Sequence, residues 1–365
     1  MTRRLLIALA LLIALIPAGA STSAQSDKPV IVASFSILAD VAAQVAGDSA
    51  TVVSLMPLGA NPHTYSPTAQ DVVRLSDADR VLVVGANYEE TLLPVVEEAA
   101  GERVIAVSQC VPIRPIPGSS ETAPVEAADG NDELPPGEWS EICAAHEAEI
   151  EAAFEQPDAG GAVLGPLYAL PCGDAHAETE PDEDHAHEPG ACDPHVWTDP
   201  TNAARWALLI RDTLSELDPS GAETYAANAE AFLAELAALD AELRAQIDAI
   251  PSERRVIVTN HVALTYFAER YGLEQVGVII PGGSTTSEPS VRAVLELIDT
   301  VQTRGVPAIF TETTASDATA AQIAAESGVA LVPLYTGSLS QPDGGAGTYL
   351  DYMRYNAAAI ADALR

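Results

Sequence analysis

The 365 residues carry 53 acidic side chains against 17 basic ones, a formal net charge of -36, and 48% of them are hydrophobic. That apolar fraction excludes a disordered chain, and the length allows two domains with cores of their own. The charge repels nucleic acid and anionic lipid and favours cations in a general way, so a nucleic-acid partner is excluded.

Arg3 and Arg4 precede an apolar run over residues 5–16, then Pro17 and the small-residue site Ala18-Gly19-Ala20. This is the arrangement of a secretory signal peptide, followed here by a short leader up to residue 28. The run falls short of the ~20 residues of a full membrane span, so cleavage is expected over retention as an N-terminal anchor helix. No cysteine lies near the cleavage site, which argues against a lipid anchor. The mature chain is expected to be soluble and exported, in the periplasm or at the extracellular face of the cell membrane.

From residue 29 the chain alternates between two periodicities. Residues 30–34, 51–56, 80–84 and 104–107 read as short buried strands. Helices fall between them: one with Ile37, Leu38, Val41 and Val45 on a single face, then 70–75 and 91–99. Such alternation predicts a parallel sheet covered on both faces. The acidic stretch from Cys110 to Pro194 holds about twenty carboxylates and one base, Arg114, and reads as a solvated insert over about 110–191. Its four cysteines, Cys110, Cys143, Cys172 and Cys192, predict two disulfides in an exported chain, with three pairings open. Residues 222–250 contain no glycine or proline and predict a helix of about 40 Å. Beyond it, strands at 255–259, 275–279, 308–311 and 330–334 alternate with helices at 263–271, 290–303, 318–327 and 349–364. The expected fold class is α/β: two lobes, each a parallel sheet covered by helices, joined by one long rigid helix. The lobes are read as 29–218 and 252–365, with the connecting helix at 219–251.

The seven histidines divide by context. His63, His195 and His261 stand in "PLGANPHTYSPTAQD", "CDPHVWTDP" and "VTNHVALTYF", each in a turn or just after a predicted strand. In parallel sheets ligand groups gather at the carboxyl ends of strands, and three imidazoles on separate loops suit Zn2+. A hydrogen-bonded turn histidine is the bland alternative for each. His176, His185 and His187 lie in "GDAHAETEPDEDHAHEPG", an acidic tract without apolar periodicity that reads as an auxiliary, weakly binding metal loop. His146, in "EICAAHEAEI", reads as a helix-surface residue, with a place in this second metal site as the alternative.

Together, "NPHTYSPTAQD", "DPHVWTDPTNA", "TNHVALTYFAERYGL" and "AIFTE" resemble the zinc/manganese substrate-binding proteins of ABC importers, the metal-binding cluster A-I family. The resemblance runs from Val30 to the C-terminus apart from the insert. It implies His63 and His195 as ligands from the first lobe and His261 from the second, zinc as the transported ion with Mn2+ the lesser candidate, and a monomer that docks on membrane permease subunits. Histidine at 261 favours zinc, because manganese-carrying members tend to have a carboxylate there. One departure stands out: in "LVPLYTGSLSQPD" Gly337 occupies the position of the family's fourth ligand, an aspartate. Glu312 is then the nearest candidate for a fourth ligand, or for a carboxylate behind a ligand histidine, with Asp343 further off. A positive φ would be one reason for a glycine at 337. The rival readings are a manganese carrier, an adhesin or metal buffer, and a zinc hydrolase with an open three-histidine site. No H-E-x-x-H, nucleophile elbow or general base beside a ligand supports the hydrolase.

Overall fold

The computed structural model describes residues 28–116, 139–156, 163–167, 170, 172, 192–280, 282, 284–285 and 287–365. The expected signal peptide and His176, His185 and His187 lie outside them. Among the described residues no helix is long and apolar enough to cross a membrane.

Short β-branched runs build the first sheet: β1 (Val30–Ala33), β2 (Thr51–Ser54), β3 (Arg80–Val83) and β4 (Val104–Ala106), in the order β2-β1-β3-β4, all parallel. Helices α1 (Ser36–Ala46), α2 (Ala69–Asp77) and α3 (Leu93–Ala100) alternate with these strands. The predicted stripe on α1 is the buried one, with Ile37, Leu38, Val41 and Val45 inside. The second sheet, β11-β10-β8-β9, is also parallel. It comprises β8 (Val256–Thr259), β9 (Glu274–Val278), β10 (Ala308–Glu312) and β11 (Ala330–Leu334). Its helices are α7 (Thr265–Tyr271), α8 (Val291–Arg304), α9 (Ala318–Ser327) and α10 (Tyr349–Leu364). This is the expected two-lobe α/β architecture.

The acidic insert is more ordered than its composition suggests. Strands β5 (Pro112–Pro115), β6 (Gly165–Pro166) and β7 (Cys192–Asp193) form a small antiparallel sheet, β6-β5-β7. Helix α4 (Glu141–Ala153) carries Ile150 into the core, and the disulfides pair Cys110 with Cys143 and Cys172 with Cys192. Helix α4 lies on α5 (Pro200–Leu217), which is absent from the sequence-based expectation. Two-point contacts from Arg205 to Glu147, at 2.6 and 2.7 Å, join them. His146 is therefore not a surface residue: it is buried, with Nε2 2.7 Å from Asp212 Oδ2 on α5. The Cys110–Cys143 bond, one turn away on α4, turns that face inward.

Helix α6 (Ala222–Asp248) presents Tyr225, Ala229, Phe232, Leu236, Leu239, Leu243 and Ile247 as one stripe at helical spacing. It packs on α1, α5, α7 and α10. One hydrophobic core runs through the first sheet, α5, α6, α7, α10 and Ile257, Phe310 and Leu334 of the second sheet. A second, smaller core of Val258, Ile309, Leu297, Val301 and Ile323 lies between the second sheet and α8 and α9. Parallel strands place their carboxyl ends on common edges, and β2 leads into the loop of His63 as β8 leads into that of His261.

Candidate metal centre

The three turn histidines meet. One ring nitrogen from each of His63, His195 and His261 lies within 4.8 Å of the other two, and all three residues are buried. His195 Nε2 and His261 Nε2 are 3.0 Å apart, and the His63 ring centroid lies 5.6 and 5.5 Å from theirs.

Each loop is fixed locally. Asn61 Oδ1 accepts the backbone N–H of His63 at 3.1 Å. The Asp-Pro-His turn after β7 is closed by Asp193 Oδ1, which accepts the backbone N–H of His195 at 3.0 Å. Asp199 then caps α5 through the N–H of Thr201, with Pro200 in the first turn, so the helix starts five residues after His195. The carbonyl of His261 accepts from Thr259 Oγ1 at 2.8 Å.

Behind each imidazole stands a carboxylate. Asp193 Oδ1 is 2.8 Å from His195 Nδ1, Glu312 Oε1 meets His261 Nδ1, and Glu90 Oε1 is 3.5 Å from His63 Nδ1. For His195 and His261 the hydrogen-bonded carboxylate holds the proton at Nδ1 and leaves Nε2 as the free donor pointing away, the orientation found in carboxylate–histidine–metal triads. Glu90 is near His63 without a hydrogen bond to its Nδ1. Asp193 and Glu90 were not singled out from the sequence. Asp193 carried a signal, two residues before His195 in the same turn, whereas Glu90 meets His63 only through tertiary folding. Glu312 was read as a fourth ligand or as a partner behind a histidine. Its two oxygens face His261 Nδ1 and Thr336 Oγ1, the latter at 2.6 Å.

Aromatic rings wall the site. Tyr88 packs on His63 at 5.5 Å and Trp197 on His195 at 5.4 Å, with Phe35 against both Tyr88 and Trp197. Burial, and then repulsion by His261 and His63, holds His195 well below the usual histidine range, so its neutral, ligating form dominates. Burial pushes Asp193 up to about 7, against the hydrogen bond from the His195 backbone. Burial is the largest single influence on Glu312 and acts to raise it, but His261, Thr336 and His195 together outweigh it and the carboxyl lies below its ordinary value. Three imidazole donors backed by three carboxylates make a dry, electron-rich cluster that a divalent cation would neutralise.

The fourth direction differs from expectation at 337. Gly337 is not in the left-handed region; a Cβ there would instead lie 3.1 Å from both Cγ and Cδ of Pro62, the residue before His63. Asp343 is exposed and outside the buried cluster.

The profile of the family described as "ZnuA: Zinc-uptake complex component A periplasmic" matches residues 31–363. The chain belongs to the ZnuA family. It is a metal-binding component of an ABC importer and not an enzyme. Among ZnuA-family relatives it is 30% identical to the manganese-binding lipoprotein MntA of Halalkalibacterium halodurans, over 97% of this chain and 96% of that one. It is also 30% identical to the zinc-binding lipoprotein AdcA of Streptococcus pneumoniae, over 98% of this chain and 60% of that one. An Mn-bound periplasmic metal-binding protein from Candidatus Liberibacter asiaticus superposes with a TM-score of 0.66 at 25% identity, covering 93% of this chain and all of that one. The periplasmic zinc-binding protein TroA of Treponema pallidum shares the fold, with a TM-score of 0.67 at 24% identity over 92% and 99% of the two chains.

Proposed function

We propose that this ZnuA-family protein is a zinc carrier, in which His63, His195 and His261 hold Zn2+ through Nε2 and deliver it to membrane permease subunits of an ABC importer. The observation that carries the reading is the all-imidazole cluster: three buried nitrogen donors, two of them with a carboxylate hydrogen-bonded to the far nitrogen. Zinc accepts three histidines and a fourth donor in a tetrahedron, whereas manganese favours oxygen donors and higher coordination. Relatives are named for manganese, iron and zinc alike, and the all-histidine donor set supports zinc. With Glu312 engaged by His261 and Thr336, water completes the tetrahedron. The protein acts as an exported monomer, and the His176, His185 and His187 tract assists capture without forming the transport site.

The test is calorimetry with Zn2+ and Mn2+ on metal-free protein, beside metal analysis of protein purified without added metal. One tight zinc, lost by orders of magnitude in His261→Ala, is the expected result. Tight one-to-one zinc binding in His261→Ala, or co-purified manganese that zinc does not displace, would overturn the reading.

A further inference from the structure

The helix that follows His261 is fastened to the other lobe. Helix α7 begins four residues after His261, and its side chains reach Asp193 of β7 and Asp199 at the start of α5, on either side of the His195 turn. Tyr266 is buried, and its hydroxyl donates to the Asp193 carbonyl at 2.8 Å and accepts the Arg114 backbone N–H at 3.0 Å. Those two residues are partners in the β5–β7 pairing. Asp193 is also the residue whose carboxylate holds His195 Nδ1. A single hydroxyl therefore spans from the helix behind one histidine to the residue behind another.

The same helix is bolted at its far end. Arg270, one turn beyond Tyr266, binds Asp240 of α6 at two points, 2.9 and 2.7 Å, and lies 3.7 Å from Asp199, the cap of α5. Tyr271 adds a third contact to Asp240 at 3.0 Å. Glu269, on the same helix, pairs with Arg114 of β5 at 2.7 Å. Three elements, the connecting helix, the start of α5 and the small sheet, thus converge on a seven-residue helix.

We infer that α7 is a clamp that fixes the spacing of His195 and His261, with Tyr266 as the positioning residue at the metal end and Arg270 at the other. The clamp rests on the ligand assignment proposed above. Packing alone would not require it, because a phenylalanine at 266 fills the same apolar space. What the hydroxyl adds is a fixed distance between two loops from different parts of the chain, and the affinity of a metal site follows that distance.

The experiment compares Tyr266→Phe, Arg270→Lys and His261→Ala with the unaltered protein, using Zn2+ release into a chelator and the visible spectrum of the Co2+-loaded form. Metal-free melting temperature is measured alongside. Tyr266→Phe should release zinc about tenfold faster or more, the scale usual for partners behind metal ligands. Its cobalt bands should change in position or intensity, because the tetrahedron is distorted. Arg270→Lys should accelerate release to a smaller extent, and it carries the test if Tyr266→Phe does not fold. If His261→Ala loses tight zinc while both clamp variants keep the original release rate and cobalt spectrum, whatever their melting temperatures, the clamp is refuted. If His261→Ala itself keeps tight zinc, the ligand assignment fails instead.

Discussion

Gly337 stands where a carboxylate ligand is expected from the family pattern, and its surroundings make the effect of restoring a side chain calculable. Its φ is ordinary, so no backbone strain opposes substitution, but a Cβ would lie 3.1 Å from both Cγ and Cδ of Pro62. Overpacking of this kind costs about 1–3 kcal/mol. At about 2.1 cal/mol/K per residue, a chain of this length shifts by roughly 1–1.5 °C per kcal/mol, so Gly337→Ala should lower the metal-free melting temperature by roughly 1–4 °C. Pro62 precedes His63, so part of the strain falls on the metal site. If half does, zinc release accelerates roughly 2- to 12-fold. Gly337→Asp meets the same clash and adds a charged donor, so it should melt like the alanine variant yet hold zinc longer than it. Calorimetric melting and a chelator chase on both variants give the two numbers. Alanine at wild-type melting temperature and release rate would show that Pro62 yields freely, and aspartate no slower than alanine would show that position 337 does not face the metal.

Removing the carboxylate behind His261 with Glu312→Gln should weaken zinc about 10- to 100-fold by competition titration. A change below twofold would mean that His261 needs no partner. Deleting residues 174–189 should leave one tight zinc and remove only weaker ions, as read by equilibrium dialysis. With water as fourth donor, the cobalt-loaded protein should bind azide with a new absorption band, and a silent titration would speak for a closed tetrahedron. Burial pushes Glu89 up to about 7, well above its ordinary 4.5. A carboxyl whose folded value exceeds its unfolded one takes up a proton on folding, so its contribution is full below about 4.5 and is lost as pH rises through 7. Metal-free protein should therefore melt lower at pH 8 than at pH 5, and Glu89→Gln should flatten that slope. An identical slope in the variant would remove Glu89 from the account.

Much of this was legible in the chain. Strands such as Val30–Ala33 and Val256–Thr259 are rich in β-branched residues, and His63 and His261 follow their strands in turns that the sequence marks with Asn and, at His63, Pro. What escaped was of two kinds. Helix α5 has a clear local start, Asp-Pro with the aspartate as cap, but its apolar positions are buried on nearly every side and give no amphipathic stripe. The acidic composition of the segment before it hid α4, whose buried face depends on Cys143, His146 and Ile150 meeting α5, which no local periodicity reports. The partners of the histidines follow the same rule. Asp193 is local and readable, while Glu90 comes from a distant loop and had no signature, nor had Thr336, which donates to Glu312 behind His261.

The hydrophobic core that begins at Ile31 in β1 and reaches Leu364 in α10 ignores the boundary between the lobes. Because Ile257, Phe310 and Leu334 belong to it, the inner face of the second sheet is finished only when the first half of the chain is present. The two lobes should then melt as one calorimetric unit, with equal van't Hoff and calorimetric enthalpies. A fragment starting near residue 252 should not fold alone, since it would leave that face and the buried Arg270 open to water. The lobes are halves of one folding unit and cannot be exchanged as modules between relatives.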